Sequence, residues 1–167
     1  MRIEEVLKSQ FHASLKMLGQ AIAGCPESLW DDRERKNRFW HICYHTLFYT
    51  HMYLQDSEKD FIPWAKHRDN YNYLGPLPWP PHENPKIEDP YTKEEILEYF
   101  EVCEKQVDER IPIMNLGDES GFFFLPFGKM ELQFYNIRHI QHHVGQLYDR
   151  LAGRGNVKLE WVDMDLG

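Results

Sequence analysis

Four stretches of this chain repeat apolar residues at spacings of three and four, and none shows the strict alternation of a half-buried strand. That pattern restricts the fold to packed helices. In the first stretch, Ile3, Leu7, Phe11, Leu15, Leu18 and Ile22 make one stripe from about Ile3 to Ala23, stopped by Gly24 and Pro26. The second runs from about Lys36 to Leu54. Phe39, Ile42, Phe48, Tyr49 and Met52 share one side, with His41 and His45 close to it, and the aromatic density predicts burial on more than one face. The third opens with Thr92 and Glu95, a capping box in which each side chain satisfies an orphan N–H of the first turn. Ile96, Phe100, Cys103, Val107 and Ile111 follow as its stripe, and Pro112 ends or kinks it. The fourth spans about Lys129 to Ala152 with a stripe of Leu132, Tyr135, His139, His143, Gln146 and Arg150, closed by Gly153 and Gly155. The expected fold is all-α: one domain over 1–167, a four-helix bundle with long crossover loops.

The connections are unusual. Between Asp56 and Tyr91 lie seven of the ten prolines, which block helix by removing backbone donors. A loop of this length is either functional or packed down by its own side chains. Phe61, Trp64, Tyr71, Tyr73, Leu74 and Trp79 are the expected anchors, laid as a lid or a plain crossover. The turn from Pro26 to Trp30 is expected to place Trp30 inward. A second loop, through Gly117, Gly121, Pro126 and Gly128, carries the apolar run 121–125, read as core, lid or partner surface. The tail from Val157 to Gly167, with Leu159 and Trp161, is expected to fold back on the helices.

Composition removes several classes. A net charge of −8 with no Lys/Arg-rich run argues against nucleic acid, whose binders present basic patches to phosphate. No apolar run reaches the roughly 18 residues a membrane helix needs, and the start Met-Arg-Ile-Glu-Glu lacks the apolar core of a signal peptide. Cys25, Cys43 and Cys103 are odd in number and widely spaced, which suits buried, reduced thiols in a cytoplasmic protein.

Nine histidines remain to be explained. His139 and His143, four apart on one helix, present both imidazoles to the same side, close enough to share an ion. Imidazoles on a core-facing stripe lose free energy unless something pairs them, and a metal does so. The third ligand must come from another helix. His41 and His45 lie one turn apart on the same face, so periodicity leaves both open, while His51 falls off that face and is expected to face solvent. His142 points off the stripe, as a surface or supporting residue. Three neutral nitrogens leave a coordination position open, the pattern of catalytic sites, and favour Zn, Ni, Fe or Cu over Mg or Ca.

Two stretches carry a resemblance. Residues 138–147, Arg-His-Ile-Gln-His-His-Val-Gly-Gln-Leu, resemble the H-x-x-x-H-x-G-Q motif on the last helix of the DinB/YfiT-like metalloenzyme superfamily, and 39–48, Phe-Trp-His-Ile-Cys-Tyr-His-Thr-Leu-Phe, resemble its second-helix motif. Helix count and order agree over most of the chain, the loop from Asp56 to Tyr91 excepted. The resemblance implies a DinB-like bundle, often a homodimer. It implies a metal on His139, His143 and a second-helix histidine that maps best to His45, with His41 as runner-up.

Through that resemblance the expected function is a three-histidine, divalent-metal enzyme (Zn or Ni, with Fe as a further choice). Its small-molecule substrate would meet a low-molecular-weight thiol in S-transfer, or water in a related hydrolysis. Gln146 would orient a ligand, and Tyr135, Glu131 and Asp149 are the weak candidates for a base. The alternatives are a non-catalytic metal-binding stress or interaction protein of the same fold, with His41 closing the metal shell, and a metal-free histidine network.

Overall fold

The computed structural model describes residues 2–153, 157 and 159–165. They form five α-helices: α1 (Ile3–Gly24), α2 (Glu27–Trp30), α3 (Phe39–Tyr53), α4 (Lys93–Arg110) and α5 (Lys129–Ala152). Single 3-10 turns stand at Glu58–Asp60 and Ile111–Ile113, and no strand occurs among the described residues. The fold is all-α.

The four long helices surround one continuous hydrophobic cluster, with α1 against α4 and α5, and α3 against the same two. From α1 this core takes Leu7, Phe11, Leu15, Leu18 and Ile22 of the stripe read from the sequence, whereas Ile3, in the first turn, is exposed. Each such side chain contributes about 1.5–3 kcal/mol by leaving water. Helix α3 is buried on almost every side, and Trp40, Cys43, Tyr44 and Leu47 are fully enclosed. It begins at Phe39 rather than near Lys36, because Arg38, in extended backbone, is its N-cap. The box at Thr92 and Glu95 forms as expected: the Glu95 N–H donates to Thr92 Oγ1 and the Thr92 N–H to Glu95 Oε2. Ile111–Ile113, containing Pro112, tightens into the 3-10 turn that ends this helix.

The stripe drawn for the last helix needs correcting. Its buried residues are Lys129, Leu132, Gln133, Asn136, Ile140, His143, Val144, Leu147 and Leu151, so Leu132 and His143 lie inside as expected. Tyr135, His139 and Arg150 are half-buried at the edge of the core, and Gln146 is exposed. Gly153 caps the helix as expected, whereas Gly155 lies outside the described residues.

Both long loops are held down. In the 56–91 segment Trp64 stacks flat on Tyr99 at 4.7 Å. Tyr91 stacks on Tyr44 at 4.8 Å, and the Arg68 guanidinium lies 4.3 Å over the Tyr91 ring. Trp30 turns inward and donates to the Tyr91 carbonyl. In the 111–128 segment Phe122 is buried, whereas Phe123 and Phe124 are exposed, so the apolar run divides between core and surface. The base of this loop passes so close to α3 that a Cβ on Gly121, at φ +84°, would sit 2.0 Å from the Asp56 carbonyl oxygen; only glycine fits. Beside it the buried Lys129 ammonium donates to the carbonyls of Gln55, Asp56 and Ser120, tying the chain just after α3 to the base of this loop.

The tail returns along α1, where the Glu160 N–H donates to Gln20 and Gln10 donates to the Asp163 carbonyl. Leu159 packs against the core, whereas Trp161 is 76% exposed. The three cysteines are free and buried.

Candidate metal centre

Helices α3 and α5 cross so that His45 meets His139 and His143. The His139 Nε2 atom lies 3.0 Å from His45 Nε2 and 3.1 Å from His143 Nε2. These three side chains form the only His, Cys, Asp or Glu group among the described residues able to hold a metal ion.

The bonds behind the rings decide their protonation. His45 Nδ1 donates to the Asn72 carbonyl at 2.6 Å, and His143 Nδ1 donates to Gln146 Oε1 at 2.9 Å. A carbonyl oxygen only accepts, so both protons sit on Nδ1 and both Nε2 atoms present lone pairs. Two lone pairs therefore converge on the third imidazole. An N–H at His139 Nε2 can serve only one of them well. His139 Nδ1 is meanwhile buried with no partner. With the His139 proton placed on that Nδ1, three lone pairs face one point, an arrangement that a cation completes. With ligand bonds of about 2.0–2.1 Å, tetrahedral nitrogens stand about 3.3 Å apart, within a few tenths of an ångström of the 3.0 and 3.1 Å that separate His139 Nε2 from the other two. The residues fit a divalent metal.

Electrostatics favours the same state. Burial pushes the His139 imidazole down to about 3, with the neighbouring His143 adding to the effect. His45 is held well below the ordinary histidine range by burial and then by the other two rings. His143 is lowered by burial, partly offset by its bond to Gln146. All three are neutral at pH 7, as ligation requires.

His41, one turn before His45, faces elsewhere: its Nε2 donates to the Tyr71 carbonyl at 2.7 Å. His41 and His45 thus anchor two successive loop carbonyls, but only His45 does so through Nδ1, leaving Nε2 for the triad. His51, expected at the surface, is buried beside the Tyr99 hydroxyl and Phe61, because α3 is enclosed on that side too. His142 is exposed and lines the same cleft, its Nε2 accepting from the Gln146 amide. Gln146 therefore bridges His142 and His143, the supporting place expected of it.

The triad opens into a cleft of about 1220 Å³ between α3, α5 and the two long loops. Tyr49 stands over the site with its ring edge-on to His45 and His139. Its hydroxyl accepts from the Asn72 amide, and burial raises it to about 12, so it keeps its proton. Of the three weak base candidates, Tyr135 lines the cleft, whereas Glu131 and Asp149 do not. The cysteines take no part: burial lifts Cys25 to about 12 and Cys43 and Cys103 well above the thiol range.

Sequence reasoning missed Asn72, whose backbone orients His45, as well as Tyr49 and His67 in the cleft wall. The Asn72 contact is made by a carbonyl, which every residue type carries, so no side-chain pattern signals it. Comparison of the chain with family models, with curated proteins and with solved structures found no match. None of the described helices is long and apolar enough to cross a membrane.

Proposed function

We propose that this chain is a four-helix bundle of the DinB/YfiT type and a metal-dependent enzyme, acting as a low-molecular-weight-thiol S-transferase or a related hydrolase. The observation that carries the proposal is the triad of His45, His139 and His143, two of its lone pairs aimed by Asn72 and Gln146, at the wall of an open cleft. A three-nitrogen donor set suits Zn or Ni, and also Fe. Such a cation, when bound, supplies a Lewis acid that lowers the pKa of a coordinated water or thiol.

The chain's own residues do the rest. Asn72 and Gln146 hold the tautomers of two ligands. Tyr49 keeps a phenolic proton beside the site. Because the cysteines are buried and protonated, a thiol reaction must use an external thiol. The resemblance to the superfamily also implies a homodimer.

A non-catalytic metal-binding interaction protein is the second reading, favoured by Phe123, which is 89% exposed. It calls for a closed metal shell. His41, its expected fourth ligand, is committed to the Tyr71 carbonyl, which weighs toward an open site.

The test is elemental mass spectrometry on protein purified without a metal-binding tag. About one Zn, Ni or Fe per chain is expected, lost in His45→Ala and His139→Ala and retained in His41→Ala. No metal in the wild type, even after loading, overturns the proposal and leaves the imidazoles as a structural network.

A further inference from the structure

The cleft beside the triad has a charge character that metal binding does not require. The only charged side chains in its lining are Glu58 and Asp69, both exposed at the rim, and no lysine or arginine lines it among the described residues. The guanidinium of Arg138 lies 5.4 Å over the Tyr135 ring but stays out of the lining. The chain as a whole carries −8. Away from the triad, where a bound divalent cation would keep its charge on three neutral ligands, an anionic group in this space loses its hydration with no opposite charge to meet it, and it passes two carboxylates on the way in. A cation meets ring faces and those carboxylates.

A second observation bears on the same cleft. Two separate loops hold large aromatic side chains out at its mouth: Phe123 and Phe124 on one, and Trp79, with Tyr73 edge-on to it at 5.7 Å, on the other. Phe124 is 43% and Trp79 46% exposed. These rings are not collapsed onto the core because their loops are tied at the base. Ser120 Oγ donates to the Leu125 carbonyl at 2.7 Å, and the Leu77 N–H donates to the Glu83 carbonyl at 2.9 Å. Exposed apolar surface gathered around one concavity marks a ligand site.

The geometry points to a substrate class: an aromatic or otherwise apolar organic molecule, neutral or cationic, gripped between Trp79 and the Phe123–Phe124 lip beside the triad. The inference rests on reading the triad as the reaction centre. It also restricts the thiol, since one rich in carboxylates finds no basic partner in the cleft.

Equilibrium dialysis of the full chain, stripped of metal so that no probe can coordinate it, tests this with three matched ligands: 1-naphthylmethylamine, 1-naphthalenemethanol and 1-naphthoate. At low salt the amine is expected to bind about tenfold tighter than the carboxylate, with the alcohol between, and the gap to narrow at high salt. Phe123→Ala combined with Trp79→Ala is expected to weaken the alcohol about tenfold. Glu58→Gln with Asp69→Asn is expected to narrow the gap between amine and carboxylate without closing it. Binding of the carboxylate as tight as the amine, no binding of any probe, or indifference of the alcohol to loss of both rings overturns the inference. Metal content, assayed on the same preparations before stripping, fails or stands independently: absent metal with the expected probe order sinks only the metal reading, and bound metal with anion preference sinks only this one.

Discussion

His45 Nδ1 donates to the Asn72 carbonyl at 2.6 Å, and this one bond turns the His45 Nε2 lone pair toward His139. His143 is set in the same way by Gln146. A ligand whose distal nitrogen is held in this manner loses less freedom on binding a metal and keeps the correct tautomer.

Gln146→Leu removes one of those bonds without touching a ligand atom. Metal affinity is expected to fall about tenfold or more, with the chain still folded because Gln146 is exposed. Competition with a chromophoric chelator measures it. Unchanged affinity would mean that packing alone orients His143.

Acid should destabilise the protein in a defined window. Burial pushes His41 and His51 each down to about 4 from an ordinary 6.5. Both states are neutral above pH 6.5. Between 6.5 and 4 the unfolded chain binds protons that the folded chain refuses, so stability falls as pH falls, by up to about 1.4 kcal/mol per histidine per pH unit. Below about 4 these two groups add no further loss. Urea unfolding of the metal-free protein at several pH values checks this; a flat midpoint from pH 7 to 4.5 would refute it.

Gly121→Ala places a Cβ against the Asp56 carbonyl at a backbone angle that L-residues avoid. A loss of about 3 kcal/mol is expected, read as a lowered denaturant midpoint with unchanged slope.

Lys129→Met leaves three carbonyls, those of Gln55, Asp56 and Ser120, without their ammonium donor. Bonds to a charged donor are the stronger kind, and about 3 kcal/mol is expected from their loss. Hydrogen exchange should also quicken in the segment just after α3 and at the base of the Phe122 loop. A purely global loss, with no local signature, would argue against the tying role.

The amino-acid sequence by itself determined the helices and much of their limits. The stripe of α1, the box at Thr92 and Glu95, and the span Lys129–Ala152 depend on contacts within a turn or two, and local spacing reports them directly. It also placed His139 and His143 together, since one turn of helix suffices. What it left open between His41 and His45 was decided only in three dimensions. Both histidines lie on one face of α3, and both bind successive carbonyls of a loop some thirty residues on. They differ in which ring nitrogen is spent on that bond, and no periodicity encodes that. The same limit explains His51 and the shifted stripe of α5. Helical spacing says which residues share a side, but which side meets the core depends on the neighbouring helices and loops. The cleft is tertiary for the same reason: its rings come from α3, α5 and two loops that meet only when the chain has folded.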